Sequence, residues 1–265
     1  MKKTLLSLAM TAMLSLGSAS AFAEFLDFKV NEGVVDPGNT LPNIFTADKL
    51  NGGYTEFLAP TSATTFATSA VGNLGQFFKN EGTALVSSQL NGFGNGGYGL
   101  YAIFTASGNI TGANLFQGTS GGFSLYLDRN KDTTFNGFFA SNDPVSTPLR
   151  DAGTFGDDDL LASTFTVVSG SGNLNGPPGA FDITFKDFTL TAVGATYFFD
   201  PNPFHMIVQI NGDYDQFVPT STPFVSRVTG DVSAVFQIPE PGSLALFGLA
   251  LAGLGLTQRR RKSVQ

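Results

Sequence analysis

The chain has 265 residues, no Cys, no Trp, one His and a formal net charge of −7. Without cysteine it holds no disulfide, thiol nucleophile or Cys-ligated metal, and one histidine cannot build a multi-His centre. Phe (27) and Gly (32) are abundant, charged residues make up only 13%, and no long 3.6-residue periodicity occurs, a combination that points to β-structure.

Lys2 and Lys3 precede an apolar run from Leu5 to Leu16. Ala19-Ser20-Ala21 and Ala21-Phe22-Ala23 follow as small-residue cleavage patterns. Residues 1–23 therefore read as a secretory signal peptide, cut by signal peptidase after Ala23 to leave Glu24 as the new terminus. A retained anchor fits less well, because the run is short. Residues 24–238 are then the exported part, sized for one large β-domain or two small ones. Setting aside Lys2, Lys3, the four tail cations and Glu240 leaves 8 Lys+Arg against 20 Asp+Glu, a net −12. That surface repels phosphate backbones and anionic headgroups, so nucleic acid is excluded as a partner, whereas divalent cations and neutral or amino sugars are compatible with it.

Phe25 to Val30 alternates like a half-buried strand. Asp36-Pro37-Gly38-Asn39 is a turn, and Ile44 to Leu50 is ambiguous, with room for a short strand. The six Asn-Gly pairs at Asn51, Asn91, Asn95, Asn136, Asn175 and Asn211 favour positive φ and predict strand connections. Strands are expected over Tyr54–Leu58, Thr61–Ala70, Phe123–Leu127, Leu160–Val168, Phe181–Thr191, Tyr197–Phe199, Phe204–Ile210 and Phe224–Ile238. Ala84–Leu90 and Tyr98–Ala106 are expected to pair as a hairpin over a glycine tip. Only Leu74–Lys79 and Asp158–Ser163 offer a turn or two of helix. Ser169–Gly179 would be the hinge if there were two domains. Roughly a dozen short strands at this spacing predict an all-β antiparallel sandwich, jelly-roll-like and in a single domain.

The chain ends in Pro239-Glu240-Pro241, an apolar run from Leu244 to Leu256, and Arg259-Arg260-Arg261-Lys262. Eighteen uncharged residues (241–258) span about 27 Å as a helix, close to a hydrocarbon core of about 30 Å. A single transmembrane helix over 243–257 is predicted, with the basic tail 259–262 on the cytoplasmic side and residues 24–238 across the bilayer. Hydropathy alone would also fit a plain C-terminal anchor, whereas a GPI-type tail lacks the basic end.

Pro239, Glu240 and Pro241, then the span, then Arg259, Arg260 and Arg261 resemble the PEP-CTERM sorting signal of Gram-negative bacteria. The resemblance implies processing by exosortase, a membrane-embedded cysteine peptidase. Interior segments are similar to the flocculation-associated PEP-CTERM proteins: Phe45 to Glu56, Gly75 to Phe78, Gln89 to Gly94 with Tyr98 to Tyr101, Gly118 to Tyr126, Asn202 to Phe204 and Gly230 to Phe236. That likeness implies a protein of the cell surface, extracellular matrix or biofilm that holds cells in flocs together with exopolysaccharide. A lectin-like carbohydrate-binding module, with or without calcium, is the alternative.

Asp128, Asn130 and Asp132 have the Asp-x-Asn-x-Asp spacing of a Ca²⁺ loop, with Asn136 at the ninth position. However, Thr133 replaces the usual glycine and Phe139 the bidentate Glu, so a polar turn capped by Asp and Asn competes with it, and remote carboxylates would have to come from Asp157-Asp158-Asp159. Gly118-Thr119-Ser120-Gly121-Gly122 fits Gly-x-Ser-x-Gly, but a strand follows where a nucleophile elbow needs a helix, so it reads as a turn. His205 sits among strand residues. Asp213 and Asp215 are imaginable as a glycosidase pair, with Asp213 in an Asn-Gly-Asp turn. Tyr98, Tyr101 and Tyr214 are candidates for stacking on sugar rings or for plain packing. No catalytic constellation emerges, and a non-enzymatic role is expected.

Overall fold

The computed structural model describes residues 25–35, 43–90, 97–111, 115–135, 150–173, 179–214 and 226–236. The strands in chain order are β1 (Phe28–Asn31), β2 (Ile44–Ala47), β3 (Lys49–Pro60), β4 (Thr65–Lys79), β5 (Ala84–Leu85), β6 (Gly99–Thr111) and β7 (Leu115–Asp128). They continue with β8 (Asp159–Thr164), β9 (Thr166–Asn173), β10 (Gly179–Lys186), β11 (Thr189–Leu190), β12 (Phe198–Asp200), β13 (Met206–Tyr214) and β14 (Ser226–Phe236). The one α-helix among the described residues, α1, is Ala192–Tyr197.

The wall is an antiparallel up-and-down barrel. β3 pairs with β4, β4 with β6, β6 with β7, and β13 with β14. β8 and β9 behave as one strand interrupted at Phe165. Phe123↔Thr164 from β8 and Leu115↔Asn173 from β9 lie along the same edge of β7. β10 and β11 behave likewise, interrupted where Asp187 takes a φ of 57°. β10 pairs with β9 and β13, and β11 pairs with β8. The ring of eight closes where β14 meets β3, from Ser226↔Leu58 to Val235↔Lys49. The expected all-β antiparallel class holds. In place of two stacked sheets there is one sheet closed on itself, and closure leaves its wall without the free edges of a sandwich.

Side chains alternate across this wall. Tyr54, Leu58, Phe66, Phe104, Phe123, Ile183, Phe185, Val208, Ile210 and Val232 are buried inside. Phe104 stacks on Phe123 at 6.1 Å, and Phe123 meets Phe185 at 5.5 Å. Asn73, Thr105, Asn109, Gln117, Gln209, Asn211 and Asp231 are exposed outside. This is the inverse of a membrane-spanning barrel, which turns its apolar side chains to lipid. Each large aromatic buried contributes roughly 1.5–3 kcal/mol, the main stabilising term in a chain without disulfides.

A second sheet, β12-β1-β2, packs across the end where β3 starts and β14 stops. Phe28 stacks on Phe236 with centroids 4.1 Å apart and touches Phe198 and Phe77 edge-on or tilted. α1 begins on Thr191, whose Oγ1 accepts the Gly194 N–H at 3.0 Å. A Cβ on Gly194 would lie 1.9 Å from the Leu161 carbonyl oxygen, so only glycine lets the helix sit this close to β8.

Several expectations change. Leu74–Lys79 continues β4, and Asp159–Ser163 forms most of β8, because β3 and β7 respectively run a ladder along them. β5 pairs with β4, and Leu90 meets Tyr98 only as an isolated parallel bridge, so the predicted hairpin does not form. Asn51-Gly52 lies within β3 at a register shift, and Asn211-Gly212 lies within β13. Among the described residues no helix is long and apolar enough to cross a membrane; the span predicted over 243–257 lies outside them, as do the other four Asn-Gly pairs.

Glu56 is the exception in the apolar lumen. It is fully buried, its Oε1 accepting from the Thr68 hydroxyl, while Oε2 has no hydrogen-bond partner among the described residues. Burial pushes its carboxyl from the ordinary 4.5 up to about 7. The native state therefore binds this proton more tightly than the unfolded chain does. The stability that goes with the proton is complete below about pH 4.5 and is lost as pH rises to about 7. Glu56→Gln should remove this dependence: relative to wild type, the variant should gain about 3 kcal/mol between pH 4 and pH 8 in denaturant unfolding. An unchanged difference across that range would count against the assignment.

Candidate functional site

Asp128 follows the last inward residue of β7 and is 5% exposed. Its Oδ1 accepts the Lys131 N–H at 2.6 Å and its Oδ2 the Thr133 N–H at 3.2 Å, while Asn130 Oδ1 accepts the Asp132 N–H at 3.4 Å. Side-chain oxygens of the Asp-x-Asn-x-Asp segment thus face backbone donors, as in an Asp-capped turn. Among the described residues no three His, Cys, Asp or Glu side chains gather within reach of one metal ion. Asp157 is exposed. Asp159 is held by Arg129, whose Nη2 lies 2.6 Å from Oδ2 and whose Nη1 also donates to the Val34 and Val35 carbonyls.

Ser120 lies in mid-strand on β7, with its hydroxyl 2.7 Å from that of Ser107, so Gly118 to Gly122 is strand rather than turn. His205 precedes β13. Asp213 and Tyr214 lie in β13 rather than in a turn, and Asp215 is outside the described residues. Of the tyrosines, Tyr98 is buried, donating to Glu32 at 2.9 Å with its oxygen 2.5 Å from that of Tyr197; burial, with Glu32 nearby, raises both phenols well above the ordinary value, and the hydrogen bond from Tyr98 opposes that shift at Tyr197. Tyr101 is 3% exposed, stacked on Tyr126 at 5.1 Å, donating to Asp158 and accepting from Arg150 at 2.9 Å. Burial raises the Asp158 carboxyl, and the Tyr101 and Thr133 hydroxyls oppose that shift. Neither Tyr98 nor Tyr101 is free to stack on a sugar. The signal-cleavage residues Ala21 and Ala23 and the tail residues Pro239 to Lys262 lie outside the described residues.

A concave feature lies elsewhere, on the outer wall of the barrel over the closing seam. A trough of about 1020 Å³ has its floor on β4, β3, β14 and β13 and its wall on the segment after β4. The register lines up polar positions across the strands: Asn211 opposite Asp231, Asp231 opposite Gly53, and Gly53 opposite Asn73. Gln76 and Lys49 add to the floor, and Ser233 donates to Asn51 Oδ1 at 2.9 Å. The wall carries Leu85, which is 61% exposed, with Val86 and Ser88.

Two buried carboxylates hold that wall. Asp48 (2% exposed) accepts the N–H groups of Glu81 at 2.5 Å and Gly82 at 3.0 Å, fixing the turn before it. Glu32 (0% exposed) accepts from the Ser88 hydroxyl at 2.8 Å, the Gln89 N–H at 2.9 Å and Tyr98, and its other oxygen takes the Asn43 amide at 2.5 Å. A buried charge is tolerated when its lone pairs are filled in this way. Sequence reading missed both residues, since a lone acid carries no local signal of burial; the trough itself depends on register, which only the closed barrel defines.

The two ends of the described domain meet beside this seam. The Leu26 N–H donates to the Phe236 carbonyl at 2.8 Å. Ala23 is three residues before Leu26, and Pro239 is three after Phe236.

Residues 237–261 match the PEP-CTERM protein-sorting motif. The chain carries a PEP-CTERM sorting signal. Such a signal implies an exported protein, anchored in the membrane as a precursor and processed by exosortase. No curated protein and no solved structure matches the chain.

Two adjacent glycines should separate fold from trough. A Cβ at Gly52 would lie 1.9 Å from the Asn73 carbonyl oxygen, whereas at Gly53 its nearest neighbour is the Gly230 oxygen at 3.6 Å. Gly52→Ala should cost roughly 1–3 kcal/mol of stability through backbone displacement. Gly53→Ala should be neutral or stabilising by up to about 1 kcal/mol. Thermal or denaturant unfolding of the two variants decides this, and equal losses would contradict the geometry.

Proposed function

We propose that this PEP-CTERM chain is an exported matrix protein whose acidic barrel is delivered to the cell surface or released by cutting at Pro239-Glu240-Pro241. There it binds exopolysaccharide and helps to hold cells in flocs, a binding role rather than a catalytic one. The sorting motif at 237–261, placed directly after the barrel's last strand, is the observation that carries this reading. Three features support it. The wall is polar outside and apolar inside, suiting an aqueous exterior. The exported part is strongly acidic, which suits neutral or amino sugars over polyanions. The trough lines up the carboxamides of Asn73, Gln76 and Asn211 with Asp231, a set suited to hydrogen-bonding sugar hydroxyls.

Deletion of Pro239 to Gln265 in cells that make the protein tests the reading. The shortened chain should lose its surface association and accumulate in the medium, and flocculation should fall towards that of cells lacking the protein. Fractionation with immunodetection, and a settling assay, read both effects. Unchanged localisation together with unchanged settling would contradict it.

A further inference from the structure

The trough over the closing seam is built in a way that specifies a ligand. Asn73, Gln76, Asn211 and Asp231 are exposed along its floor, and among the described residues no hydrogen bond occupies their side chains. Each carboxamide presents a donor and an acceptor together, and a carboxylate accepts two hydroxyls at once. Ring hydroxyls of a sugar offer both functions at every position. Lys49 is the only cation among the lining residues and Asp231 the only acid, so the trough has no charge set for a polyanion.

The floor also excludes an extended peptide added as a strand. β3, β13 and β14 are paired on both sides over this region. β4 carries β6 as far as Leu74 and β5 at Phe78 and Lys79, and the Val86 N–H donates to the Phe77 carbonyl between them, so the unpaired stretch is too short to accept a strand. Gly53 leaves the centre of the floor open between Asp231 and Asn73. Leu85 and Val86 on the wall present an apolar face suited to sugar C–H groups. Glu32 and Asp48 hold that wall before any ligand arrives, which lowers the ordering cost of binding.

We propose that the trough formed by β4, β3, β14 and β13 is a subsite for a neutral or N-acetylated polysaccharide strand, with Asp231, Asn211, Asn73 and Gln76 as its polar contacts and Gly53 as the opening that admits the chain. This rests on the matrix reading above. The strand would lie across the β-strands, along the register row, and the site would exist only in the closed barrel.

The test uses the processed protein from cells expressing the full chain. The probes are exopolysaccharide stripped from those cells, chitohexaose, and a polyuronate as the anionic control. Wild type should bind the first or second probe and not the third. Gly53→Leu, which fills the opening, and Asn73→Ala/Gln76→Ala, which removes contacts without adding bulk, should each weaken binding at least tenfold with the melting temperature unchanged. Wild-type-like binding by either folded variant would overturn the subsite, leaving the matrix reading intact. No binding by wild type would also overturn it, and the matrix reading would fall with it only if cells lacking the protein settled normally. Preference for the polyuronate would overturn the assigned ligand class.

Discussion

Everything in this barrel depends on the ladder between β3 and β14. It joins residues near position 50 to residues near position 230, and no disulfide helps to hold it. The loop-closure cost of such a long-range pairing is met only when the ladder and the aromatic lumen form together, so folding should be cooperative and set by topology. The same ladder does three further things. It puts Gly53 opposite Asp231 and so creates the trough floor. It places Tyr54 and Glu56 in the lumen. It brings Phe236 beneath Phe28, where the first and last described strands meet ring on ring.

That arrangement orders events during export. The barrel is not complete until β14 has crossed the membrane, and Pro239 follows Phe236 by only three residues. A chain held by its sorting span can fold its barrel while still tethered, because closure needs nothing beyond the closing strand. The N-terminal end of the described domain is tied to its C-terminal end by the Leu26–Phe236 hydrogen bond, beside the trough seam. Among the described residues the closing ladder is complete by Val235, two residues before the matched sorting motif begins at 237.

Much of this was legible in residue pattern. Phe181 to Lys186 alternates visibly and is β10; Tyr98 to Ala106 and Phe123 to Leu127 are buried strands as their composition implied. The tail was legible because its signal is linear: a tripeptide, an apolar run and a basic end. What escaped was everything decided by partners distant in sequence. Leu74–Lys79 has a helix-compatible composition, but β3 gives it a ladder on one side, with β6 at Leu74 and β5 at Phe78 and Lys79 on the other. Asn51-Gly52 looks like a hairpin turn; its glycine instead permits a backbone approach that a Cβ would block. A closed barrel and a sandwich share the same alternation, and only the pairing of β14 with β3 separates them. α1 is too short, with Gly194 inside it, to show periodicity, although Thr191 is a conventional cap. The trough could not be read at all, since Asn211, Asp231, Gly53 and Asn73 become neighbours only through register.

The central claim is that the last 27 residues are a removable address attached to a finished barrel. Intact-mass and C-terminal peptide mass spectrometry of the protein isolated from its own cells tests this most directly. The account predicts a chain beginning at Glu24 and ending at or beside Pro239-Glu240-Pro241, with Leu244 to Gln265 gone. A mature protein that still ends in Arg259-Arg260-Arg261-Lys262-Ser263-Val264-Gln265 would contradict it and leave a barrel permanently anchored by its own tail.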